Sequence, residues 1–296
     1  MRPHTRAVLQ ALLVVFLWAT SWVFVKIGLQ NIPPVTFAGL RYFLAFVCLL
    51  AVLLLNPLRK EVWDLSRRAW GKLILLGILL YGATQGAVFV ALAYLPAVTV
   101  NLLWSFSSVT IALLGSFLLA ERPRASQWLG MTLAVLGAVI YFYPVDIPQH
   151  QSLGLIVAYL GVLANAFSSI LGRDINRAGS HSPLVVTVIS MGAGSILLLV
   201  TGIAFEEPPR LDIQSWVIIL WLALVNTAFA FTLWNQTLRT LTAMESSIIN
   251  GTMLVWVAIF AVLFLGEAIT GKEAVGLIAT SIGTIIVQLR KTAPLQ

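Results

Sequence analysis

The sequence predicts an all-α integral membrane protein with ten transmembrane helices, arranged as two inverted five-helix repeats. Three observations predict this fold class: a strongly apolar composition, ten long apolar runs, and residues that recur at a constant offset of 146. The recurring residues are Glu121 with Glu267, Gly130 with Gly276, and Gly137 with Gly283. An odd number of spans in each half would insert the second half upside down, as in many secondary transporters.

Composition sets the class of protein before any motif does. Of the 296 residues, 59% are hydrophobic and only 10% are charged, and the mean hydropathy is +0.96. A soluble globule of this length needs more polar surface. The net charge of +7 does not indicate nucleic-acid binding, because the basic residues stand singly between apolar runs. The single cysteine, Cys48, lies inside an apolar run and cannot form an intrachain disulfide.

The ten apolar runs are each interpreted as a transmembrane helix, because a helix needs roughly 20 residues to cross about 30 Å of hydrocarbon. The predicted spans are 7–28, 34–55, 71–94, 96–119, 126–143, 153–173, 184–205, 216–238, 244–265 and 273–290. Prolines stand at several junctions, where a missing amide costs least. The first run is too long for the core of a signal peptide, so we interpret it as a retained span.

The distribution of basic residues supports this span count and predicts that both termini are cytoplasmic. One side receives fourteen: Arg2, Arg6, Arg59, Lys60, Arg67, Arg68, Lys72, Arg122, Arg124, Arg173, Arg177, Arg239, Arg290 and Lys291. The other side receives three: Lys26, Arg210 and Lys272. This asymmetry follows the positive-inside rule, and nine or eleven spans would blur it.

The repeat divides the chain into residues 1–147 and 148–296, each expected to hold five helices. The offset of 146 aligns the fourth and fifth spans with the ninth and tenth, and Lys26 and Arg173 pair at an offset of 147 near the ends of spans one and six. The glycines of spans five and ten form stripes of small residues at helical spacing, which favour close helix packing in lipid or contact within a homodimer.

Motifs along the whole chain are similar to those of one transporter family. They are FLWATSWVFVKIG, FAGLRYFLA, LLGSFLLAERP and WLGMTLAVLGAVIY in the first half, with VLFLGEAIT and VGLIATSIGTIIV in the second. In this order and with this duplication they resemble the EamA-type transporters of the drug/metabolite transporter superfamily. The resemblance implies ten helices in two inverted repeats, a central substrate cavity and, commonly, export of small metabolites from the bacterial cytoplasm. It leaves the substrate open among amino acids, nucleotide precursors, sugars, amines and drugs.

Apart from charged residues at span ends, we find two that lie clearly within the predicted spans, Arg41 and Glu245; there a charge costs at least about 2.5 to 3.5 kcal/mol. Arg41 could face a wet cavity and attract a carboxylate, or it could lock helix ends or snorkel outward. Glu245 could complement the positive N-terminal end of its helix or act as a titratable proton carrier. Glu121 and Glu267 end spans, which favours a structural role at helix termini.

Uncharged polar and aromatic residues at similar depth form the rest of the predicted substrate site. At the midplane we place Trp18, Tyr81, Gln85, Asn165 and Asn226, and toward the two mouths Trp22, Asn101, Trp104, Trp234, Asn235 and Asn250. Tryptophan faces suit planar, apolar or cationic solutes, and amides suit zwitterions. Core packing, an interfacial belt and hydrogen bonds between helices are the alternatives.

The residue inventory argues against an enzyme. The three histidines lie outside the predicted spans and every aspartate lies in a loop or at a span end, so an intramembrane protease lacks its ligands. No GxxxxGK[ST] or GxGxxG motif provides a nucleotide cradle. We therefore expect no metal or other cofactor.

The resulting functional hypothesis is a secondary transporter in a bacterial cytoplasmic membrane. Its expected partners are the lipid bilayer and a small amphipathic substrate, such as an amino acid or related amine, exported by alternating access. Drug efflux, metabolite uptake and, from another class, a channel or non-transporting membrane scaffold remain alternatives.

Overall fold

The computed structural model describes residues 3–118, 125–144, 148–177, 181–237, 240–241 and 243–288, and all regular secondary structure in these ranges is helical. The first half contains α1 (Pro3–Gly28), α2 (Pro34–Leu54), α3 (Arg59–Trp63), α4 (Arg67–Gly77), a π-helical segment π1 (Ile78–Gln85), α5 (Gly86–Tyr94), α6 (Ala97–Ser105), α7 (Ser107–Leu118) and α8 (Ala125–Phe142). The second half contains α9 (Gln149–Arg177), α10 (Pro183–Phe205), α11 (Ile213–Ala223), π2 (Leu224–Phe229), α12 (Ala230–Thr237), α13 (Ala243–Gly251), α14 (Met253–Phe260), π3 (Ala261–Leu265) and α15 (Gly271–Gln288).

Nine helical stretches of the described residues are long and apolar enough to cross a membrane, so the chain is a multi-pass membrane protein. They overlap the first nine predicted spans. The tenth predicted span corresponds to α15, which is helical over 18 residues but carries Lys272 and Glu273 in its first turn and does not belong to these nine.

Prolines begin several of the helices, as the sequence predicts, and short polar side chains cap others. Pro34 and Pro183 stand in the first turn of α2 and α10. Ser182 caps α10 by accepting a hydrogen bond from the Val185 backbone amide. Asp212 caps α11 in the same way, and hydrogen bonds from Ser215 lower the pKa of its carboxyl group. Local sequence therefore determines where these helices begin.

Two π-helical segments interrupt the third and eighth spans. The segment π1 separates α4 from α5, and π2 separates α11 from α12. A π turn inserts one extra residue into a helix and rotates the side chains that follow, and such turns are frequent at functional sites. The two segments begin at residues 78 and 224, which differ by the same 146 residues as the sequence repeat.

By its internal contacts the chain forms two units, and each draws on both halves of the sequence. The first unit comprises residues 1–23, 96–149 and 229–296, and the second comprises residues 24–95 and 150–228. These units differ from the two predicted sequence repeats, residues 1–147 and 148–296.

In the first unit, α8 packs closely on α15 through the predicted glycine stripes. A Cβ atom added at Gly137 would lie 2.5 Å from the Thr280 backbone nitrogen, and one at Gly276 would lie 2.6 Å from the Gly137 carbonyl oxygen. Gly130 and Gly283 approach each other in the same reciprocal way, at 2.7 and 2.6 Å. The glycines therefore allow close packing between two helices of this chain, which is one of the two uses that their spacing predicts.

In the second unit, α2 and α10 pack at similarly short range. A Cβ atom added at Gly39 would lie 2.8 Å from the Leu199 backbone nitrogen, and one at Gly202 would lie 2.5 Å from Thr36 Oγ1. The apolar cluster around α4 and α10 contains buried residues that share one core: Leu53, Leu65, Leu73, Leu76, Ile175, Val185, Val186, Val188 and Ile189. This core packs the end of α2 and the helix α4 against α10.

Candidate functional site

Arg41 is buried within the second unit, with only 6% of its surface exposed. Its Nε–H donates to Thr227 Oγ1 at 3.2 Å, and that hydroxyl donates to the Leu222 carbonyl oxygen at 2.8 Å. The guanidinium carbon also lies 5.1 Å from the ring centroid of Tyr42 and 5.9 Å from that of Phe89. Arg41 therefore does not snorkel outward, but is held against π2 by a hydrogen bond and two aromatic rings.

Each π segment contributes one residue that contacts Arg41 or the adjacent Tyr42 on α2. The rings of Tyr42 and Tyr81 lie 5.6 Å apart between centroids, which connects π1 to the arginine. Asn226 and Thr227 of π2 are fully buried. Thr84 of π1 is also fully buried, and its hydroxyl has no hydrogen-bond partner among the described residues. We call Arg41, Tyr42, Tyr81, Asn226 and Thr227 the Arg41 cluster.

The other predicted site residues of the second unit are less buried. Gln85 ends π1 and Asn165 lies within α9, and both side chains are partly exposed. The Asn165 backbone carbonyl accepts hydrogen bonds from Ser168 and Ser169, each at 2.8 Å. Gln85 and Asn165 are thus accessible polar groups of the second unit.

Aromatic rings form a separate cluster in the first unit. The Trp18 ring lies 5.2 Å from Phe231 and 5.3 Å from Trp234, measured between centroids. Trp18 and Trp234 are partly exposed, and both pack on the buried apolar residues Val14, Ala230 and Leu233. Sequence reasoning missed Phe231, because one phenylalanine in an apolar span carries no distinguishing signal.

The remaining predicted residues of the first unit lie in several helices. Trp22 is buried, whereas Trp104 and Asn250 are partly exposed. Asn101 of α6 is buried, and its Nδ2 has no hydrogen-bond partner within the described part of the chain. Asn235 lies in α12, and its side chain falls outside the described side chains.

Glu245 lies in the first turn of α13, which is the helix-terminal position considered from the sequence. Its Oε1 lies 2.8 Å from Nε2 of His4 in α1. Both side chains are accessible, with 36% and 57% of their surfaces exposed. His4 was missed as a partner because 241 residues separate the pair.

Within the described part of the chain, three glutamates accept hydrogen bonds from amides at or beside the N-terminal ends of other spans. Glu267 accepts from the backbone amides of Ala97 and Val98 at 2.6 and 3.2 Å, so its predicted helix-terminal role is confirmed. Glu206 accepts from the amides of Val35 and Thr36 at 2.9 and 2.7 Å. Glu121 lies outside the described residues.

Glu61 supplies the third of these contacts, by accepting from the Ser182 amide at 2.6 Å beside the start of α10. The first-turn amides of a helix lack partners within the helix, and a carboxylate there also complements the helix dipole. These glutamates therefore fix the ends of transmembrane helices.

Changing Glu206 to Gln is expected to destabilise the protein by about 1 to 2 kcal/mol, because the neutral amide loses charge-assisted bonds to the α2 terminus. Thermal unfolding of the purified protein in detergent measures this change. Glu207→Gln is the matched control, since Glu207 is the adjacent exposed glutamate. Equal melting temperatures for the two variants would contradict the assigned role.

Lys26, which is the repeat equivalent of Arg173, binds the end of a neighbouring helix. Its Nζ donates to the carbonyl oxygens of Leu92 and Leu95, each at 2.6 Å. A cation is favourable at this helix end because the last carbonyls carry partial negative charge.

In the described residues, no group of three or more His, Cys, Asp or Glu side chains could hold a metal ion.

Known proteins place this architecture in one family. The EamA-like transporter family matches residues 5–143 and again 152–289. A solved crystal structure superposes with a TM-score of 0.69 at 19% identity, over 95% of this chain and 97% of the other, which shows a shared fold.

Curated relatives align over most of their length. One is the "Probable amino-acid metabolite efflux pump" of Salmonella typhimurium, 25% identical over 96% of both chains. Its namesake in Escherichia coli is 26% identical, over 93% of this chain and 92% of that one. The "Uncharacterized transporter YoaV" of Bacillus subtilis is 24% identical, over 87% of this chain and 88% of the relative. With both halves matched, the chain belongs to the EamA-like transporter family and is a membrane transporter.

Proposed function

We propose that this transporter exports small amphipathic metabolites, amino acids and related amines first among them, by alternating access without ATP. The observation that carries the proposal is the Arg41 cluster. A guanidinium has five N–H donors in a planar fork that matches a carboxylate, and a protein interior strengthens such a pair. The names of the Salmonella and Escherichia relatives support the same substrate class.

The proposed architecture is ten spans in two inverted repeats, residues 1–147 and 148–296, with α15 as the tenth span. Support comes from the π segments at residues 78 and 224, which are repeat-equivalent. The reciprocal glycine contacts between α8 and α15 give further support. The family match to residues 5–143 and 152–289 has the same period.

The glutamate contacts of the second unit are reciprocal as well. Glu61, after the second span, accepts from Ser182 at the start of the seventh span. Glu206, after the seventh span, accepts from Thr36 at the start of the second. Thr36 and Ser182 differ by 146 residues, and Glu61 and Glu206 by 145. A two-fold relation between inverted halves produces such exchanged contacts.

The proposed cellular setting is the bacterial cytoplasmic membrane, with both termini on the cytoplasmic side. The fourteen-to-three division of basic residues supports this orientation. Single cysteines at Trp18 and Asn165, introduced with Cys48→Ser, test the mechanism through labelling from each side. Alternating access predicts that each cysteine is labelled from only one side of the membrane at a time. A channel predicts that it is labelled from both sides at once.

The proposed substrate-binding residues are described for each unit by itself. In the second unit they are Arg41, Tyr81, Gln85, Asn165 and Asn226, whose donors and acceptors suit carboxylate and amine groups. In the first unit they are Trp18, Trp22, Asn101, Trp104, Trp234, Asn235 and Asn250, among which the ring faces suit apolar or cationic groups. Efflux of labelled amino acids from loaded proteoliposomes tests both assignments.

Drug efflux is a second candidate, favoured by the Trp18, Phe231 and Trp234 rings. Aromatic clusters bind planar organic cations through their ring faces. Growth in toxic amines, with and without expression of the protein, separates this function from metabolite export.

Proton coupling through Glu245 is a further part of the proposal, because its carboxylate lies within hydrogen-bond distance of the His4 imidazole and a proton can pass between two such groups. Changing Glu245 to Gln is expected to remove the pH dependence of efflux, because the amide carries no transferable proton. Glu273→Gln is the control, since Glu273 also lies in a first helical turn. An unchanged pH profile in Glu245→Gln would leave Glu245 with its helix-terminal role only.

A further inference from the structure

The loop after the second span exposes large apolar side chains next to basic ones. Leu55 and Trp63 are almost fully exposed, at 89% and 87%. Lys60, Arg67 and Arg68 are exposed beside them. We call residues 55–72 the basic loop. A single exposed apolar side chain is ordinary, but an exposed tryptophan next to several cations is typical of a membrane interface.

The backbone of the basic loop is held in place from within the second unit. Leu65 is buried in the apolar cluster with Leu73 and Val185. Glu61 accepts the hydrogen bond from Ser182, and Arg59 donates through Nη1 to the Leu54 carbonyl oxygen at 3.1 Å. Trp63 therefore projects outward from a fixed short helix, α3.

Charge distinguishes the basic loop from its counterpart in the second half. Residues 55–72 contain five basic and two acidic residues, for a net charge of +3. Residues 205–215 follow the seventh span and also expose apolar side chains, Phe205 at 86% and Ile213 at 84%. That segment contains three acidic residues and one basic residue, for a net charge of −2. The two loops are thus similar in exposed apolar groups and opposite in charge.

We propose that the basic loop is a docking surface for anionic phospholipid headgroups. Trp63 lies at headgroup depth, where its ring contacts the acyl boundary and its N–H reaches polar groups. Lys60, Arg67 and Arg68 pair with lipid phosphates, because cations next to a span attract anionic lipids. The acidic segment 205–215 is expected to repel anionic headgroups, because its net charge is negative.

The test uses the full chain in nanodiscs with Cys48→Ser and a fluorophore on Trp63→Cys. Small amounts of acyl-chain spin-labelled phosphatidylglycerol or phosphatidylcholine are added to an otherwise phosphatidylcholine bilayer. Local enrichment of anionic lipid predicts quenching about three- to fivefold stronger by the phosphatidylglycerol probe. The same fluorophore on Phe205→Cys is the matched control and should show no excess.

Charge variants decide whether the basic residues cause the preference. Lys60→Gln, Arg67→Gln and Arg68→Gln together should remove the excess quenching, whereas Arg67→Lys with Arg68→Lys should retain it. Size-exclusion chromatography checks that each variant is folded. Equal quenching by the two probes at position 63 overturns the proposal. The absence of quenching by either lipid probe also overturns it, because the basic loop would then lie in water, where it would be available to a soluble partner.

Discussion

Replacing Arg41 by Gln is expected to lower amino-acid efflux roughly 30- to 150-fold, which corresponds to about 2 to 3 kcal/mol for a charged hydrogen-bonded pair. The reason is the proposed role of Arg41 as the cation that pairs with the substrate carboxylate. Initial rates of efflux of a labelled amino acid from loaded proteoliposomes measure the effect. Arg210→Gln is the control, since Arg210 is an exposed arginine in a loop, and it should leave the rate unchanged.

A structural role for Arg41 makes a different prediction, which Thr227→Val separates. This substitution removes the hydroxyl that accepts from Arg41 Nε while leaving the guanidinium in place. If Arg41 only fastens α2 to π2, both variants should lower the melting temperature and the efflux rate by similar amounts. If Arg41 binds substrate, Thr227→Val should retain most of the efflux that Arg41→Gln loses.

A clear loss of stability is expected when Gly283 is changed to Ala. A Cβ atom there would lie 2.4 Å from the Ala134 backbone nitrogen, so Gly283→Ala must push α15 away from α8. Overpacking of this kind costs about 1 to 3 kcal/mol, and in a chain of this length we expect the melting temperature in detergent to fall by about 2 to 5 °C. Thermal unfolding with a fluorescent dye or circular dichroism measures it.

Gly271→Ala is the matched control for this prediction. Gly271 begins the same helix, and a Cβ atom there meets nothing within 4 Å. Alanine also favours a helix more than glycine does, so the control should unfold at the same temperature or slightly higher. A Gly283→Ala protein as stable as Gly271→Ala would contradict the close packing of α8 and α15.

Patterns that act through local chemistry were predictable from the sequence. Apolar run length located nine of the spans, because a fixed bilayer thickness imposes a fixed helix length. Prolines marked the starts of α2 and α10, since proline lacks the amide that a first turn leaves unpaired. The helical spacing of Gly130, Gly137 and their equivalents predicted a close helix contact, although its partner helix came from the structure.

Features that depend on distant residues were not predictable in the same way. The π segments change the helical period over only eight and six residues, which is too short to alter the apolar pattern of a membrane helix. Thr227 became part of the site because π2 brings it to Arg41, across 186 residues of sequence. The His4–Glu245 pair and the glutamates at helix ends also join residues far apart in the chain.

Recognition of an amino-acid carboxylate by Arg41, as we propose it, can be tested by counterflow in proteoliposomes. The substrates are a matched pair, an amino acid and its carboxamide, and the proteins are the natural chain and Arg41→Gln. We expect the natural chain to prefer the acid by about 30-fold or more and Arg41→Gln to transport both equally. A preference for the acid that survives in Arg41→Gln, or equal loss of both substrates, would contradict it.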